Sequence, residues 1–369
     1  MNKVPASNKV VVVTGGTVGI GRATVRAFAE KGWSVGIIAR DEARLRAIET
    51  ELRGLGVAAL GISADVADVA GVDAAAVRFE AELGPITVWV NNAMATVVSS
   101  ARDITPEEFA RVTDVTYLGQ VHGTLAALRH MTPRKCGTII QISSGLGIRS
   151  APLQSAYCGA KAAVRGFTDS LRSELIHDGL GAIQLTVVYL PAVNTPQFDW
   201  ARNHTGRRQT VPDPVFDPRL CAAAVLFAAT HRRREIWVGR STLQMAVGQR
   251  LVPGLLDRQA ASMWKAQLQG DEAPTVPEGN LFAPVAGDPG IDGRFGDRTK
   301  PTQGEFWTSR NRDAALAGVV GLGVLGVATL AAPAVLMAGL LSRAPIRPGA
   351  MLAASLIQGA LTRRQRGRS

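Results

Sequence analysis

The chain has 369 residues, of which 46% are apolar and 19% are charged. This length and composition exclude global disorder and allow one large domain with an appendage. The formal net charge of +11 is spread along the chain, so it indicates attraction to anionic cofactors or lipid head groups rather than to nucleic acid. Three cysteines, Cys136, Cys158 and Cys221, suit a reducing compartment. Without a signal-peptide pattern before the first apolar segment, the sequence predicts a cytoplasmic protein.

Short β-branched segments alternate with helical patterns through the first 240 residues. They predict seven buried strands, at residues 10–13, 34–39, 57–62, 86–90, 138–142, 183–189 and 235–238. Helical stretches follow the first two strands at 22–30 and 42–53, and Thr105 with Pro106 marks a further helix start. Strands that alternate with helices pair in parallel, with helices on both faces. The predicted fold class is therefore α/β, a doubly wound Rossmann sheet.

A glycine-rich turn follows the first predicted strand and opens the first helix. A turn of this kind bends sharply and brings backbone N–H groups at a helix N-terminus close to a diphosphate, which only glycine permits without a Cβ clash. The alternative is a tight turn that binds nothing. The sequence favours a dinucleotide-binding turn, made by Gly15, Thr17, Gly19, Ile20 and Gly21.

The spacing of this turn, T-G-x-x-x-G-x-G, resembles that of the short-chain dehydrogenase/reductase family, and later motifs follow in the family's order over roughly residues 8–245. The resemblance implies a single-domain Rossmann fold, usually with seven parallel strands. It also implies a homodimer or homotetramer and a small-molecule carbonyl or alcohol substrate. We expect no nucleic-acid partner.

The end of the second predicted strand distinguishes the two nicotinamide coenzymes. An acidic residue there accepts the ribose hydroxyls of NAD, whereas a basic residue accommodates the extra phosphate of NADP. Arg40 occupies this place and Asp41 follows it. The planar guanidinium suits a phosphate, so the sequence favours NADP over NAD. The alternative for Arg40 is a solvated surface charge.

Two further strand ends resemble the family's coenzyme site. Asp65, followed by Val66, ends the third strand, where the family's Asp contacts adenine; a turn-capping Asp is the alternative. Asn91, Asn92 and Ala93 match the first three residues of the family's N-N-A-G, but Met94 replaces the glycine. The coenzyme-binding set implied by the resemblance also includes Asn92, Tyr157, Lys161 and Thr195.

Ser144, Tyr157 and Lys161 form the predicted catalytic group. Tyr157 and Lys161 are four residues apart, so they share one face of a helix. A free phenol has a pKa near 10, and a neighbouring ammonium is expected to lower it toward the range where general acid–base catalysis is efficient. In the family the counterpart of Ser144 contacts the substrate oxygen. The alternative is an interfacial Tyr beside a Lys whose stem lies on apolar surface.

Thr116 departs from the family pattern, which has an Asn in a D-x-N-x-x-G context here. The family's Asn holds a water that relays protons to the Lys. Because Thr has a shorter reach, we expect an altered relay with Thr116 in that catalytic position rather than a loss of catalysis.

The predicted substrate-covering loop spans residues 197–218. Phe198 and Trp200 can line an apolar pocket there. The loop's arginines either meet an anionic group or remain solvated, and these are Arg202, Arg207 and Arg208. The five histidines show no metal-binding spacing, so no metal site is predicted.

The pattern changes after the catalytic region. We predict a catalytic domain at 1–250, an irregular Pro- and Gly-rich arm at 251–313, and an apolar helical tail at 314–369. The uncharged run 314–342 would be about 43 Å long as a helix, which exceeds the membrane's hydrocarbon thickness. Membrane contact through 314–362, at the cytoplasmic face, is favoured. The alternatives are a buried pair of oligomerisation helices, which small residues favour, and a flexible apolar tail.

The sequence therefore predicts an NADP(H)-dependent oxidoreductase that interconverts a carbonyl and an alcohol, and the tail and loop suggest a lipophilic substrate. Two alternatives remain. One is an epimerase or dehydratase of the same family type, although the arm looks too irregular for the larger sugar domain of such enzymes. The other is a non-catalytic NADP(H)-binding scaffold at a membrane, suggested by Met94 and Thr116.

Overall fold

Seven parallel strands form the centre of the computed structural model, which describes residues 9–269, 272–273 and 276–300. The strands are β1 (Val10–Thr14), β2 (Ser34–Ala39), β3 (Ala59–Ser63), β4 (Ile86–Asn91), β5 (Gly137–Ser144), β6 (Ile183–Leu190) and β7 (Glu235–Trp237). They lie in the order β7-β6-β5-β4-β1-β2-β3, and every neighbouring pair is parallel. This confirms the predicted doubly wound α/β sheet.

The helices cover both faces of the sheet. They are α1 (Gly19–Ala29), α2 (Glu42–Gly54), α3 (Val69–Leu83), α4 (Pro106–Thr113), α5 (Gly119–Met131), α6 (Ser155–His177), α7 (Gln197–Trp200), α8 (Pro218–Thr230), α9 (Arg240–Leu251) and α10 (Pro253–Ala266). Side chains of α1, α2 and α8 pack on one face, and those of α3 to α6 pack on the other. Because both faces are covered, β1 consists of Val-Val-Val-Val-Thr with every residue buried.

Local sequence signals place several helix starts. The hydroxyl of Thr105 accepts the N–H of Glu108 at 3.2 Å, and the Glu108 carboxylate accepts the N–H of Thr105 at 3.2 Å. This capping box, with Pro106 in the first turn, begins α4 as predicted. A π-helical turn, Asp114–Leu118, then joins α4 to α5.

The strand order reverses between β4 and β1, which lie side by side although β2 and β3 come between them in the chain. Ligands of doubly wound sheets bind in the crevice at such a reversal, outside the carboxyl ends of the strands. A ligand site is therefore expected among the residues that follow β1, β4, β5 and β6.

The segment after residue 250 is more ordered than the predicted irregular arm. It begins with α10, whose Pro253 stands at the first helical turn and favours helix initiation. Residues 276–300 then pack against the sheet domain, where Leu281 is 0% exposed and Phe295 is 5% exposed. Residues 301–313 and the predicted apolar tail, 314–369, lie outside the described residues. Of the helices within the described ranges, none combines the length and apolarity needed to cross a membrane.

Candidate active site

Two adjoining cavities open at the carboxyl ends of the strands. The first, which we call the coenzyme cleft, has a volume of about 190 Å³ and follows β1, β2, β3 and β4. The second, the catalytic cavity, has a volume of about 230 Å³ and lies beside β5 and β6. Both cavities share the same boundary side chains, which are Ile20, Asn92, Met94, Thr195 and Gln197. A ligand in one cavity can therefore contact a ligand in the other.

The glycine turn forms the floor of the coenzyme cleft. A Cβ on Gly21 would lie 2.0 Å from the carbonyl oxygen of Gly15, so the turn can close only with glycine at this position. The Asn92 side chain donates to the carbonyl oxygens of Thr14 and Gly15 at 3.0 and 3.1 Å, which fixes the turn to β4. This cradle fits a diphosphate at the N-terminus of α1. All ten non-catalytic residues of the predicted coenzyme set line the cleft: Gly15, Thr17, Gly19, Ile20, Gly21, Arg40, Asp65, Val66, Asn92 and Thr195.

Arg40 lies at the end of the coenzyme cleft that follows β2. Its guanidinium donates to the carbonyl oxygens of Asn280 at 2.6 Å and Leu281 at 3.3 Å. Burial lowers the pKa of Arg40, which Asp65 partly opposes. A second arginine, Arg44, also lines this end of the cleft. Two guanidinium groups at one end suit a phosphate monoester.

Asp65 makes two kinds of contact. One carboxylate oxygen accepts the N–H of Ala67 at 2.9 Å, as a turn-capping Asp does, and the other accepts from Arg111. Burial tends to raise the pKa of Asp65, but the bonds from Arg111 and Ala67 outweigh it and hold the pKa below its usual value. Asp65 is thus an ionised acceptor at the wall of the cleft, next to the buried Val66.

Ser144, Tyr157 and Lys161 meet in the catalytic cavity. Ser144 ends β5, and Tyr157 and Lys161 lie one turn apart near the start of α6. Lys161 is 2% exposed, and its Nζ donates to the carbonyl oxygen of Ile142 at 2.7 Å. The same Nζ lies 5.7 Å from the centre of the Tyr157 ring. The three residues that the sequence spacing singled out therefore lie together in one cavity.

Burial controls both titrating groups of this cluster. Burial raises the pKa of Tyr157, and a hydrogen bond with Ser144 opposes the rise. The predicted lowering of this pKa by Lys161 is wrong for this structure, because the Lys161 ammonium faces a backbone carbonyl and lies over the ring. Burial also lowers the pKa of Lys161 to about 7. The phenol is thus a proton donor at neutral pH, beside a lysine that titrates there.

Thr116 does not line either cavity. It is 0% exposed; its hydroxyl donates to the carbonyl oxygen of Ala95 at 2.8 Å and accepts the N–H of the same residue at 2.9 Å. These bonds tie the π-helical turn to the segment after β4. The structure does not bring Thr116 together with the other catalytic candidates, and its place in a proton relay stays a prediction.

The loop after β6 contributes unequally to the two cavities. Thr195 borders both cavities, Phe198 lines the catalytic cavity and Trp200 lines the coenzyme cleft. The loop arginines line neither. Arg202 pairs with Glu108 and Glu278, and Arg208 pairs with Asp199 and Glu272.

Several lining residues carry no sequence signal of their own. The catalytic cavity includes Met245 from α9 and Met263 from α10, and polar side chains such as Gln154, Gln209 and Gln267 away from the catalytic cluster. The coenzyme cleft includes Asn280, Pro284 and Val285. These residues come from segments beyond the recognised motifs or between them, so only the tertiary structure identifies them.

Comparisons with known proteins agree with this architecture. Residues 9–205 match the family model described as short chain dehydrogenase. An uncharacterized oxidoreductase, YxnA of Bacillus subtilis, is 34% identical over 253 residues, which cover 68% of this chain and 71% of that protein. Galactitol 2-dehydrogenase of Agrobacterium fabrum is 34% identical over 175 residues, 47% of this chain and 67% of that enzyme. A metagenomic short-chain oxidoreductase solved in complex with NADP is 26% identical, with a TM-score of 0.53 over 63% of this chain and 97% of that one.

Proposed function

Because the chain belongs to the short-chain dehydrogenase/reductase family, we propose that it transfers hydride between NADP(H) and a carbonyl or alcohol carbon. The observation that carries this proposal is the cluster of Ser144, Tyr157 and Lys161 in a cavity that adjoins the coenzyme cleft. The three side chains come from β5 and α6, and all of them line the same cavity.

The proposed reduction assigns one task to each side chain. Ser144 donates a hydrogen bond to the substrate's carbonyl oxygen. Tyr157 transfers its phenolic proton to that oxygen while the carbonyl carbon accepts hydride, and the product is an alcohol. Lys161 would hold the ribose that carries the nicotinamide. When bound, the reduced nicotinamide supplies the hydride. In the opposite direction the Tyr157 phenolate accepts the alcohol's proton.

The choice of NADP rests on Arg40 and Arg44. Both arginines line the coenzyme cleft, where the extra phosphate of NADP would bring negative charge. Asp41 follows Arg40, and its carboxylate accepts the N–H of Arg44 at 2.9 Å as the cap of α2. A solved relative in complex with NADP is consistent with this choice.

The lining of the catalytic cavity supports an apolar, uncharged substrate. Its side chains away from the catalytic cluster are mostly aliphatic, aromatic or thioether groups, such as Met94, Leu146, Phe198, Val211, Met245 and Met263. The lining carboxylate, Asp213, is 68% exposed in its side chain and pairs with Arg298. An apolar aldehyde or ketone would therefore lose little by desolvation on entering the cavity.

The test is oxidation of NADPH with a panel of apolar and sugar-derived carbonyl compounds, compared between wild type and Tyr157→Phe. We expect the variant to lose about 10²- to 10⁴-fold in rate while it binds NADPH within a few fold. Tyr189→Phe is the matched control, since Tyr189 is buried on β6 and lines neither cavity. A Tyr157→Phe variant that keeps more than about a tenth of the rate contradicts the assigned role. An absence of turnover in wild type, despite NADPH binding, favours the non-catalytic alternative.

A further inference from the structure

Residues 276–295, which we call the covering segment, run across the outer side of the coenzyme cleft. The segment starts against α7, where the N–H of Asn280 donates to the carbonyl oxygen of Trp200 at 2.9 Å. It then passes the ends of β2 and β3 and reaches the glycine turn. There the N–H of Gly19 donates to the carbonyl oxygen of Gly290 at 3.0 Å. Asn280, Pro284 and Val285 form part of the cleft lining. The segment thus spans the cleft from its Arg40 end to its glycine turn.

Arginines on the rim of the cleft attach the covering segment. Arg40 and Arg111 donate to its carbonyl oxygens at Asn280 and Leu281. Arg44 donates to the carbonyl oxygen of Gly287 at 2.7 Å and to that of Val285. Arg22 on α1 binds both carboxylate oxygens of Asp288, at 2.7 and 2.8 Å. These rim cations therefore bind the segment as they would bind an anionic ligand.

Two apolar anchors fix the ends of the segment more firmly than its middle. Leu281 is 0% exposed among the core side chains that include Val66 and Val115. Phe295 is 5% exposed and packs edge-to-face on Phe198. The N–H of Phe295 also donates to the Asn194 side chain at 2.9 Å.

The stretch between these anchors, residues 282–290, has a different character. It contains no buried residue and is mostly exposed. Polar contacts hold it, and exposed ion pairs are individually weak. We call this stretch the central loop. The difference in burial gives the covering segment two fixed ends and a middle that can lift.

The covering segment also contacts Thr195, one of the residues that border both cavities. A Cβ on Gly293 would lie 2.4 Å from the carbonyl oxygen of Thr195, so the two backbones touch. Arg219 reinforces this end by binding both carboxylate oxygens of Asp292, at 2.7 and 2.8 Å.

We propose that the covering segment retains the dinucleotide coenzyme and that lifting of its central loop sets the rate of coenzyme exchange. The inference rests on the proposed function, because it assumes a dinucleotide in the cleft. Arg40 can serve both partners, since a guanidinium has five N–H donors and the segment takes one from each of two nitrogens. The closed segment is thus compatible with a phosphate on Arg40.

The dissociation rate of NADPH tests the proposal. Stopped-flow fluorescence would compare wild type with Asp288→Ala, which removes an attachment of the central loop without changing the cleft lining. Glu51→Ala is the matched control, because Glu51 accepts from the same arginine, Arg22, at 2.8 Å but lies on α2. We expect NADPH to leave Asp288→Ala about two- to fivefold faster than wild type, and Glu51→Ala to match wild type.

Hydrogen exchange provides a second readout on the unmodified protein. We expect exchange of peptides that cover 282–290 to slow when NADPH is bound, while peptides that contain Leu281 and Phe295 change less. Equal dissociation rates for Asp288→Ala and Glu51→Ala, or unchanged hydrogen exchange in the central loop, would overturn this inference and leave the proposed function standing. Failure of wild type to bind NADPH at all overturns the proposed function, and this inference with it.

Discussion

The inner and outer walls of the coenzyme cleft are built in different ways. The inner wall consists of strand ends and the glycine turn, which the parallel sheet brings to one edge. The outer wall is the covering segment, whose Asp288 meets Arg22 across 266 positions of sequence. The inner wall thus follows from periodicity and topology, whereas the outer wall depends on individual long-range contacts. The inner wall adjoins the catalytic cavity, which holds the groups for chemistry, and the outer wall is placed to control access.

The largest expected effect after that of Tyr157 concerns Ser144 in the catalytic cavity. Ser144→Ala removes the hydroxyl that would donate to the substrate oxygen, so kcat should fall by about 10²- to 10³-fold. NADPH affinity should stay within a few fold. Steady-state kinetics and a fluorescence titration measure the two quantities. Ser143→Ala, one residue earlier, should lose much less, because the Ser143 hydroxyl donates to the Lys161 carbonyl oxygen at 3.5 Å. Equal losses in the two variants would remove Ser144 from the mechanism.

Arg40 lies where the two walls meet, and its substitution tests the choice of coenzyme. Arg40→Asp should weaken NADPH binding by about ten- to a hundredfold and improve NADH relative to NADPH, since a carboxylate repels the phosphate and accepts ribose hydroxyls. Competitive titrations measure both affinities. Arg46→Asp is a control with the same charge change, on a side chain that is 70% exposed and outside the cleft. A wild type that already prefers NADH would refute the NADP assignment.

The pH dependence of coenzyme binding examines Lys161 in the catalytic cavity. Burial lowers its pKa to about 7, and an anionic coenzyme favours the ammonium, so the bound protein should have the higher pKa. The protonated form of Lys161 favours the anionic coenzyme, so binding should be tightest below pH 7. Affinity should then fall by up to about tenfold per pH unit above 7, until the pKa of the bound state is reached. Titrations between pH 6 and 9 measure this slope, and Lys161→Met should flatten it. A slope of opposite sign would exclude this linkage.

The smallest expected effect concerns the tail. Truncation after residue 310 should leave the melting temperature and NADPH binding unchanged, because the described sheet domain is complete before that residue. Membrane fractionation then tests the sequence prediction for 314–362, with full-length protein on membranes and truncated protein in solution. Full-length protein that stays wholly soluble without detergent would favour the oligomerisation alternative.

The residues of the two cavities differ in how far the sequence could predict them. The strands at 34–39 and 86–90 and the placement of Gly21, Arg40 and Asp65 were predictable, because strand periodicity and strand order determine where strand ends lie. Ser144 was predictable as a strand end, and its pairing with Tyr157 was implied by the resemblance to the family. The cavity residue Met263 and the cleft residue Asn280 were not, since no period or motif marks them.

Burial explains the misjudged pKa of Tyr157. Sequence spacing indicates that Tyr157 and Lys161 are neighbours, but it does not show how completely the phenol is enclosed. In the structure Tyr157 is 9% exposed and Lys161 2%, so desolvation dominates both pKa values. The surroundings of Thr116 were equally hidden from the sequence. Its hydroxyl donates to the carbonyl oxygen of Ala95 and accepts the N–H of the same residue.

One stopped-flow comparison tests most directly the claim that the catalytic cavity and the outer wall of the cleft have separate tasks. It measures single-turnover hydride transfer and NADPH dissociation in wild type, Tyr157→Phe and Asp288→Ala. The account predicts that Tyr157→Phe slows hydride transfer by about 10²-fold or more with unchanged dissociation. It also predicts that Asp288→Ala speeds dissociation about two- to fivefold with unchanged transfer. If either variant changes both rates, or if the Tyr157 variant transfers hydride at the wild-type rate, the account is contradicted.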